Sequence, residues 1–221
     1  MTRFRLMTAN LFTRFVDLDD LGKVLDKVSP DVLVTVEMTP EAARVIEGFY
    51  EHHLLLPDAG YLGRGIAARY PMEVQPEPAW RGLGGQVTVE GDPINVAVAH
   101  ITDPIFGNWR ENRRRRREQV DSLLSWSVSL PEEVPQLVAG DMNASPAWDV
   151  YKRMASHWKD LAAEAALSQG RRPASTWGPG RRVLRIDHVF GLGLRGFEQS
   201  VTRIKGSDHS AVVIDLEVSP D

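Results

Sequence analysis

Apolar residues recur along the chain in two alternating patterns, one with the period of a strand and one with the period of a helix. The segment Phe4–Ala9 alternates loosely between apolar and polar side chains, which predicts a strand that stops at Asn10. Leu18–Val28 carries apolar residues at the i, i+3, i+4, i+7 spacing of an amphipathic helix. The β-branched run Asp31–Val36 then predicts a strand that is buried on both faces.

The same two patterns continue down the rest of the chain. Thr39-Pro40 predicts a helix start, with threonine at the cap and proline in the first turn. A long helix fits Trp109 to Val128, and a short one fits Trp148 to Met154. Further strands are predicted at Gly65–Arg69, Gln86–Glu90, Ile94–Ala99, Gln136–Ala139, Val183–Phe190, Phe197–Ile204 and Ser210–Val218. This mixture favours a layered α/β fold, and without an internal repeat or a low-complexity linker it predicts one domain over residues 1–221.

The composition narrows the chemistry before any single residue is considered. The 221 residues include no cysteine, which excludes disulfides, thiolate-bound zinc, iron–sulfur clusters and thiol catalysis. A net charge of −4 argues against nucleic-acid binding by bulk charge, although a local basic surface stays open. The first twelve residues are too polar for a signal peptide, and no apolar run reaches the ~18 residues of a membrane span. We therefore expect a cytoplasmic protein without a membrane span.

Residues capable of chemistry stand where the predicted strands end or begin. They are Asn10, Glu37, His100, Asp141, Asn143, Asp187, Asp208 and His209. If the last strand runs antiparallel to those before it, its start meets their ends, and these side chains converge at one rim. Crowded carboxylates repel one another, and a divalent cation relieves that repulsion. Oxygen ligands of this kind favour Mg²⁺ or Mn²⁺, with Ca²⁺ as a third option.

Six short motifs contain these residues. They are Thr8-Ala9-Asn10, Val36-Glu37, Ala99-His100, Gly140-Asp141-Met142-Asn143-Ala144-Ser145-Pro146, Arg185-Ile186-Asp187-His188-Val189-Phe190 and Gly206-Ser207-Asp208-His209-Ser210. In sequence and order they resemble the endonuclease/exonuclease/phosphatase superfamily, the DNase I-like proteins. One motif alone is weak evidence, but six in the family's order over residues 8 to 210 are strong evidence.

The resemblance implies a fold and a metal site. The fold would be a four-layer αββα sandwich, with two mixed β-sheets packed face to face and helices outside both. Glu37 would be the principal metal ligand, supported by Asn10 and Asp208 on the same rim. The implied cofactor is Mg²⁺ or Mn²⁺.

The resemblance also implies a role for each remaining residue. His209, held by Asp187, would act as general base or transition-state stabiliser. Asp141 would orient the attacking water or bind a second metal. Asn143 would donate a hydrogen bond to a phosphate oxygen, and His100 would be a candidate acid for the leaving oxygen.

The third motif separates this chain from one branch of the superfamily. It reads Ala99-His100-Ile101-Thr102-Asp103. The exonuclease III and abasic-endonuclease branch is expected to carry Tyr-x-Pro-Asn at this place. A specialised abasic-site enzyme is therefore disfavoured.

The run Arg113–Arg117 falls on the predicted long helix and allows two interpretations. It is either a solvated helix face, with Glu111 and Glu118 as partial partners, or part of a DNA-binding groove. We favour the solvated face. The helical period puts Arg116 on the same side as the inward apolar residues.

Three residues outside the motifs are candidate substrate contacts: Arg64, Arg110 and Trp177. For Trp177, core packing is an equally good interpretation. The function expected from all of this is metal-dependent hydrolysis of phosphodiesters by in-line water attack, with DNA favoured and endonucleolytic cleavage first. The alternatives are a phospholipid, polyprenyl-phosphate or small-molecule phosphoesterase, and a catalytically silent binding module, which would have lost a site residue. We expect a monomer with no stable protein partner.

Overall fold

Twelve strands build two sheets at the centre of the computed structural model, which describes residues 1–79, 81–105, 107–178 and 181–219. The strands are β1 (Arg3–Asn10), β2 (Val32–Val36), β3 (His52–Leu56), β4 (Arg64–Ala68), β5 (Met72–Gln75), β6 (Leu83–Val89), β7 (Asp92–His100), β8 (Gln136–Asp141), β9 (Lys159–Asp160), β10 (Asp187–Leu192), β11 (Leu194–Arg203) and β12 (Ser210–Val218). One six-stranded sheet has the order β11-β12-β1-β2-β4-β3, and the other has the order β5-β6-β7-β8-β10-β9. Each sheet mixes parallel and antiparallel pairs.

Five helices and a 3₁₀ turn (Thr13–Phe15) complete the described chain. The helices are α1 (Leu18–Val28), α2 (Pro40–Glu47), α3 (Trp109–Ser129), α4 (Asp149–Ala155) and α5 (Leu161–Ser168). Side-chain caps fix where several begin: Asp17 accepts from the third residue after it, and Thr39 does the same ahead of Pro40. Within the described ranges, every helix is too short or too polar to traverse a bilayer.

Because side chains alternate between the two faces of each strand, the apolar core has three parts, one between the sheets and one on the outer face of each sheet. Residues such as Val34 and Val96 point between the two sheets and form one shared apolar core. Their neighbours point outward: Leu33 packs under α1 and α2, and Val138 packs under α3 and α4. The four-layer αββα sandwich implied by the sequence is therefore confirmed.

Strand directions bring the motifs to one rim. β12 runs antiparallel to β1, and β1 runs parallel to β2, so the start of β12 meets the ends of the other two. In the second sheet, His100 pairs with Asp141 across the parallel β7 and β8, and Asp187 pairs with Asp141 across the antiparallel β10 and β8. The expected direction of the last strand is confirmed.

Some elements differ from the sequence prediction. The strand predicted at Val183–Phe190 begins only at Asp187, because Leu184 instead forms a bridge with Trp177 in the preceding loop. The sequence prediction lacks the edge strand β3, the short strands β5 and β9, and the helix α5. Every residue of β3 is at least partly exposed, and α5 is apolar on nearly all sides, so neither shows a clear alternation.

Candidate active site

Both sheets contribute side chains to one polar cluster at the rim. Asn10 and His209 come from the first sheet, and Asp141 and Asp187 come from the second. Two hydrogen bonds join the sheets here: the Asn10 Nδ2 donates to Asp141 Oδ2 at 3.2 Å, and His209 Nδ1 lies 2.8 Å from Asp187 Oδ2. All four side chains are buried. The convergence expected from the strand ends is thus present.

Left-handed backbone conformations shape the loops that carry these residues. Glu37 has φ +54 and Asn143 has φ +46, a geometry that costs a non-glycine residue about 1–3 kcal/mol unless its surroundings enforce it. Gly140 precedes Asp141 at φ +140, where a Cβ would lie 2.1 Å from the Ala99 carbonyl oxygen. Gly206 stands two residues before Asp208 at φ +85, where a Cβ would lie 1.8 Å from the Phe15 oxygen. The glycines of both motifs are therefore demanded by close backbone approach.

His209 is bonded through one ring nitrogen and faces carboxylates with the other. Its Nε2 lies 3.8 Å from Asp141 Oδ2 and 3.8 Å from Asp208 Oδ1. Burial disfavours the charged ring, but the carboxylates of Asp187, Asp141 and Asp208 outweigh burial and raise the pKa of His209 to about 10. At neutral pH the ring is therefore an imidazolium with its Nε2–H directed into the cluster.

Asp141 has a pKa of about 7, raised by burial and by the charge of Asp187, while His209 opposes the rise. Its Oδ1 accepts from the Asn143 backbone N–H at 2.7 Å, and its Oδ2 accepts from Asn10. A carboxyl group with such a pKa can hold or release a proton near neutrality.

Two carboxylate oxygens at the rim have the properties of cation ligands. Glu37 Oε2 and Asp208 Oδ1 are buried, and within the described residues neither has a hydrogen-bond partner. Burial, with the nearby charges of Asp208 and Asp187, raises the pKa of Glu37. Anionic oxygens left without donors fit a hard divalent cation.

Asp141, Asp187 and His209 form a second group of possible metal ligands, whose ligand atoms lie within 4.8 Å of one another. The 2.8 Å bond between His209 Nδ1 and Asp187 explains much of that closeness, because it already engages one nitrogen and one oxygen of the set. We therefore assign the candidate cation site to Glu37 and Asp208, two of the three predicted ligands.

The third predicted ligand, Asn10, is oriented by its neighbours as a donor. Its Nδ2 donates to Glu37 Oε1 at 3.1 Å as well as to Asp141, and its Oδ1 accepts from the Phe12 N–H at 2.9 Å. Asn10 therefore links the two carboxylates. Its role as a metal ligand stays a prediction.

Asn143 is also fully engaged. Its Nδ2 donates to the Ile101 oxygen at 3.0 Å and to Asp141 Oδ2 at 3.3 Å. These bonds hold the loop after β8 against the loop after β7. Donation from Asn143 to a phosphate oxygen requires the amide to turn, and stays a prediction.

His100 lies against Glu37, with 3.6 Å between Nε2 and Oε1. Burial lowers the pKa of His100 to about 3, and the charges of Arg81 and His209 add to the effect. An acid must be protonated to act, so this environment favours a neutral hydrogen-bond donor over the predicted general acid.

Trp177 supports the candidate cation site. Its indole Nε1 donates to Asp208 Oδ2 at 2.8 Å, which leaves Oδ1 as the oxygen without a hydrogen bond from any described residue. Its backbone bridges to Leu184 and to His209. These contacts show that Trp177 orients Asp208. A contact between Trp177 and the substrate stays a prediction.

The substitution Trp177→Phe keeps a ring and deletes the indole N–H, so we expect Asp208 to lose its orientation. Partners of metal ligands contribute about 10–100-fold to affinity, and apparent Mg²⁺ affinity should fall about tenfold with a smaller change in kcat. Titrating Mg²⁺ at saturating bis-p-nitrophenyl phosphate measures this. Trp126→Phe is the matched control, because the buried indole N–H of Trp126 has no partner in the described part of the chain. Equal Mg²⁺ affinity in both variants would contradict the assignment.

Arg64 and Arg110, the other two predicted substrate contacts, interact with residues outside the polar cluster. Arg64 donates to the Gly82 oxygen at 2.6 Å and the Leu62 oxygen at 3.2 Å, and pairs with Glu77 at 3.3 Å, so it braces the loop before β6. Arg110 is exposed on α3, with its guanidinium 5.4 Å from the Trp109 ring. In the described chain, neither arginine makes a hydrogen bond or an ion pair with the predicted catalytic or metal-binding residues.

Two residues of α3 hold the loops that carry His100 and Asn143, and only their inward position signalled this in the sequence. Arg116 is buried and donates to the Thr102 oxygen at 2.5 Å and the Asn143 oxygen at 3.1 Å. Gln119 donates to the His100 oxygen at 3.0 Å and accepts from the Thr102 N–H at 2.8 Å. The placement of Arg116 on the inner face of the helix is thus confirmed.

Two further arginines act on the site without a motif to mark them. Arg182 donates to the backbone oxygens of Ser207 and His209 at 3.2 and 3.1 Å, which fixes the segment before β12. Arg81 lies close enough to His100 that its charge lowers the pKa of that histidine. Burial lowers the pKa of Arg81, and the negative charge of Glu37 opposes that shift. Its charge therefore reaches Glu37, just as the charge of Arg182 reaches Asp208.

The raised pKa of His209 predicts a pH dependence of stability for the protein in EDTA. A histidine whose folded pKa exceeds its unfolded value, ~6.5, stabilises the fold fully below that value and loses this contribution as pH rises toward about 10. The raised pKa of Asp141 also makes the unfolding free energy fall with rising pH, but only up to about pH 7. The lowered pKa of His100 makes the unfolding free energy rise with pH, but only below about pH 6.5. Unfolding free energy should therefore fall between about pH 7 and 9, by at most ~1.4 kcal/mol per pH unit. Thermal unfolding measures this, and His209→Gln should flatten the slope; an equal slope in the variant would contradict it.

The fold and the site together define the DNase I-like class, an αββα sandwich with a carboxylate–histidine centre at one sheet rim. The chain belongs to the Endonuclease/Exonuclease/phosphatase family, whose model matches residues 7–209. Members of this family are hydrolases that act on phosphoester bonds. No curated protein sequence matches this chain.

Solved structures with the same fold span nearly the whole chain at low sequence identity. The endonuclease/exonuclease/phosphatase from Beutenbergia cavernae is 21% identical with a TM-score of 0.71, over 99% of this chain and 72% of that one. TDP2 from D. rerio, complexed with a single-strand DNA product, is 16% identical with a TM-score of 0.73, over 98% and 100%. The human Nocturnin catalytic domain with bound sulfate is 17% identical with a TM-score of 0.73, over 98% and 95%.

Proposed function

We propose that this protein is a divalent-cation-dependent phosphodiesterase that cleaves DNA internally by in-line attack of water on phosphorus. The observation that carries the proposal is the pairing of His209 with Asp187 beside two buried carboxylate oxygens, those of Glu37 and Asp208, which accept no hydrogen bond from the described residues. A histidine–carboxylate pair next to a cation site matches the needs of phosphate-ester hydrolysis.

Each residue of the cluster has a task in this reaction. Glu37 and Asp208 would hold the cation, which when bound polarises the phosphoryl group and offsets its negative charge. Asp141, with its pKa of about 7, takes one proton from the attacking water as the water oxygen bonds to phosphorus. When the bond between phosphorus and the leaving oxygen breaks, Asp141 releases this proton, which neutralises the leaving oxygen. The His209 imidazolium donates its Nε2–H to the phosphoryl oxygen, whose charge grows in the transition state.

The tautomer and position of His209 are set by its neighbours. Asp187 accepts from Nδ1, which leaves Nε2–H as the atom that faces the substrate. Arg182 holds the His209 backbone, and Asn10 fixes Asp141 relative to Glu37. Arg81, whose charge interacts with His100 and Glu37, would pair with the negative charge of the phosphodiester.

DNA is the proposed substrate because arginines flank the rim on α3 and in the loop that carries Arg81. A protein of the same fold, TDP2, has been solved with a single-strand DNA product, and another, Nocturnin, with a bound sulfate anion. These likenesses support phosphate recognition by this architecture, and the arginines favour a polyanion over a small ester.

A side-by-side panel tests the proposed function. Plasmid DNA, single-stranded DNA, RNA, sphingomyelin, inositol phosphates and bis-p-nitrophenyl phosphate are incubated with Mg²⁺, Mn²⁺ or EDTA. We expect nicked plasmid and cleaved bis-p-nitrophenyl phosphate with either cation, and neither product in EDTA. The doubly substituted E37Q/H209Q protein, purified identically, controls for a contaminating nuclease. Hydrolysis of a lipid or inositol phosphate with intact plasmid would refute the DNA assignment, and no hydrolysis at all would favour a binding module.

A further inference from the structure

We infer that the exposed side of the first half of α3 binds the nucleic acid strand that flanks the bond being cut. We call this surface the arginine face and define it by Trp109, Arg110, Arg113 and Arg117. The inference rests on the proposed function, since it names how a polymeric substrate extends beyond the cluster at the rim. It adds a surface to a site otherwise formed by strand ends and their loops.

The direction of α3 puts the arginine face beside the candidate active site. Near its end, the side chain of Ser127 bonds to Gln136, the residue that starts β8 at the edge away from the site. Midway, Gln119 binds the oxygen of His100 at the opposite edge, and Arg116 reaches the oxygen of Asn143. The residues before Arg116 therefore lie at the rim, next to the loops of His100 and Asn143.

The charge of this segment opposes that of the whole protein. Residues 109–118 contain six arginines and two glutamates, a net charge of +4 in a chain whose total is −4. Both glutamates are occupied, because Glu111 pairs with Arg114 and Arg115, and Glu118 pairs with Arg114. The partial positive charge of the helix N-terminus adds to this potential. Self-neutralisation within the helix is thus incomplete, so the solvated face favoured from the sequence, with Glu111 and Glu118 as partners, does not account for all the arginines.

The excess charge is concentrated on one side of the helix. Arg110, Arg113 and Arg117 follow the i, i+3, i+7 spacing, are exposed, and span about 10 Å along the helix axis. Arg113 and Arg117 form no ion pair within the described ranges. Arg110 lies against Trp109, which is 61% exposed. A row of guanidinium groups that ends in an exposed indole matches successive phosphates and one unstacked base.

A nucleic acid strand fits this face better than an anionic membrane does. Helices that bind membrane surfaces combine a basic side with an apolar side that enters the lipid. The apolar side of α3, with Val120 and Leu123, is already buried under the second sheet. What α3 offers outward is charge with one aromatic ring, which is the chemistry of strand binding.

Fluorescence anisotropy tests the inference, with a labelled DNA single strand of about twenty nucleotides in EDTA, over a series of NaCl concentrations. The variant is R110A/R113A/R117A, and the matched control is K23A/K27A/R44A, which removes the same charge from exposed positions on α1 and α2. We expect the arginine-face variant to bind at least about tenfold more weakly. The slope of log affinity against log salt should fall by about 2, since each phosphate contact contributes ~0.7 for a single strand. The control should bind like the parent.

Thermal unfolding confirms that both triple variants are folded, and the single reversal Arg113→Glu gives a second result if the triple is unstable. Equal binding by the two triple variants, or by Arg113→Glu and the parent, would overturn the inference, as would absence of binding by the parent. If R110A/R113A/R117A lost binding to phosphatidylserine vesicles but kept its DNA binding, the inference would be overturned in favour of a membrane. A parent that binds through this face but leaves plasmid uncut would refute the proposed function and leave the inference standing.

Discussion

Glu37→Gln is expected to lower hydrolysis of bis-p-nitrophenyl phosphate in Mg²⁺ by at least about 1,000-fold, or roughly 4 kcal/mol of activation free energy. The substitution keeps the size of the side chain and removes the negative charge of the principal candidate ligand. Because burial and neighbouring carboxylates raise the pKa of Glu37, the charged form is disfavoured in the folded protein without a cation. The variant should therefore be as stable in EDTA as the parent or more stable.

Two measurements separate loss of the cation from loss of the fold. In the parent, Mg²⁺ that binds only the folded state should raise the unfolding temperature, and in Glu37→Gln that increase should disappear. Glu41→Gln is the control, since Glu41 is exposed in the first turn of α2, four residues away. A variant that keeps both activity and the Mg²⁺-dependent increase would rule out Glu37 as a ligand.

His209→Gln should lower kcat by about 100- to 10,000-fold, the range that positioned proton donors and acceptors contribute. Asp187→Asn should come close to it, because without the carboxylate the ring loses both its orientation and the charge that keeps it protonated. Since the two residues act as one unit, the double variant should be hardly worse than His209→Gln alone.

Single-turnover kinetics on bis-p-nitrophenyl phosphate measure this coupling. His53→Gln, on the exposed edge strand β3, is the control for removal of a histidine. Additive losses in the double variant would show that Asp187 acts independently of His209. The mechanism would then need a different assignment for Asp187.

The convergence of the polar side chains at the rim could be predicted from the sequence because they lie at the ends of strands. A side chain that follows a buried strand must lie at a sheet edge, so Asn10, Glu37 and Asp141 could be placed together once the strands were recognised. The order of the six motifs supplied the rest of the set. The helical period likewise placed Arg116 on the inner face of α3.

Orientation and partner choice could not be predicted in the same way. The amides of Asn10 and Asn143 can turn either end toward a neighbour, and only the three-dimensional packing decides which end faces a carboxylate. Arg64 has donors that suit phosphate and backbone carbonyls equally, and here it binds backbone. The contact of Trp177 with Asp208 joins residues thirty-one positions apart in a loop that has no periodic pattern.

The hydrogen bonds that cross from one sheet to the other, from Asn10 to Asp141 and from His209 to Asp187, tie activity to the closure of the whole sandwich. A site built on a mobile lid can melt while the rest of a protein survives heating, so that inactivation precedes denaturation. Here the proposed reacting groups come from the two sheets that enclose the shared core, and neither half of the cluster is complete without the other sheet. On warming, catalytic competence and native structure should therefore vanish in a single transition, which makes residual activity a direct gauge of the folded fraction.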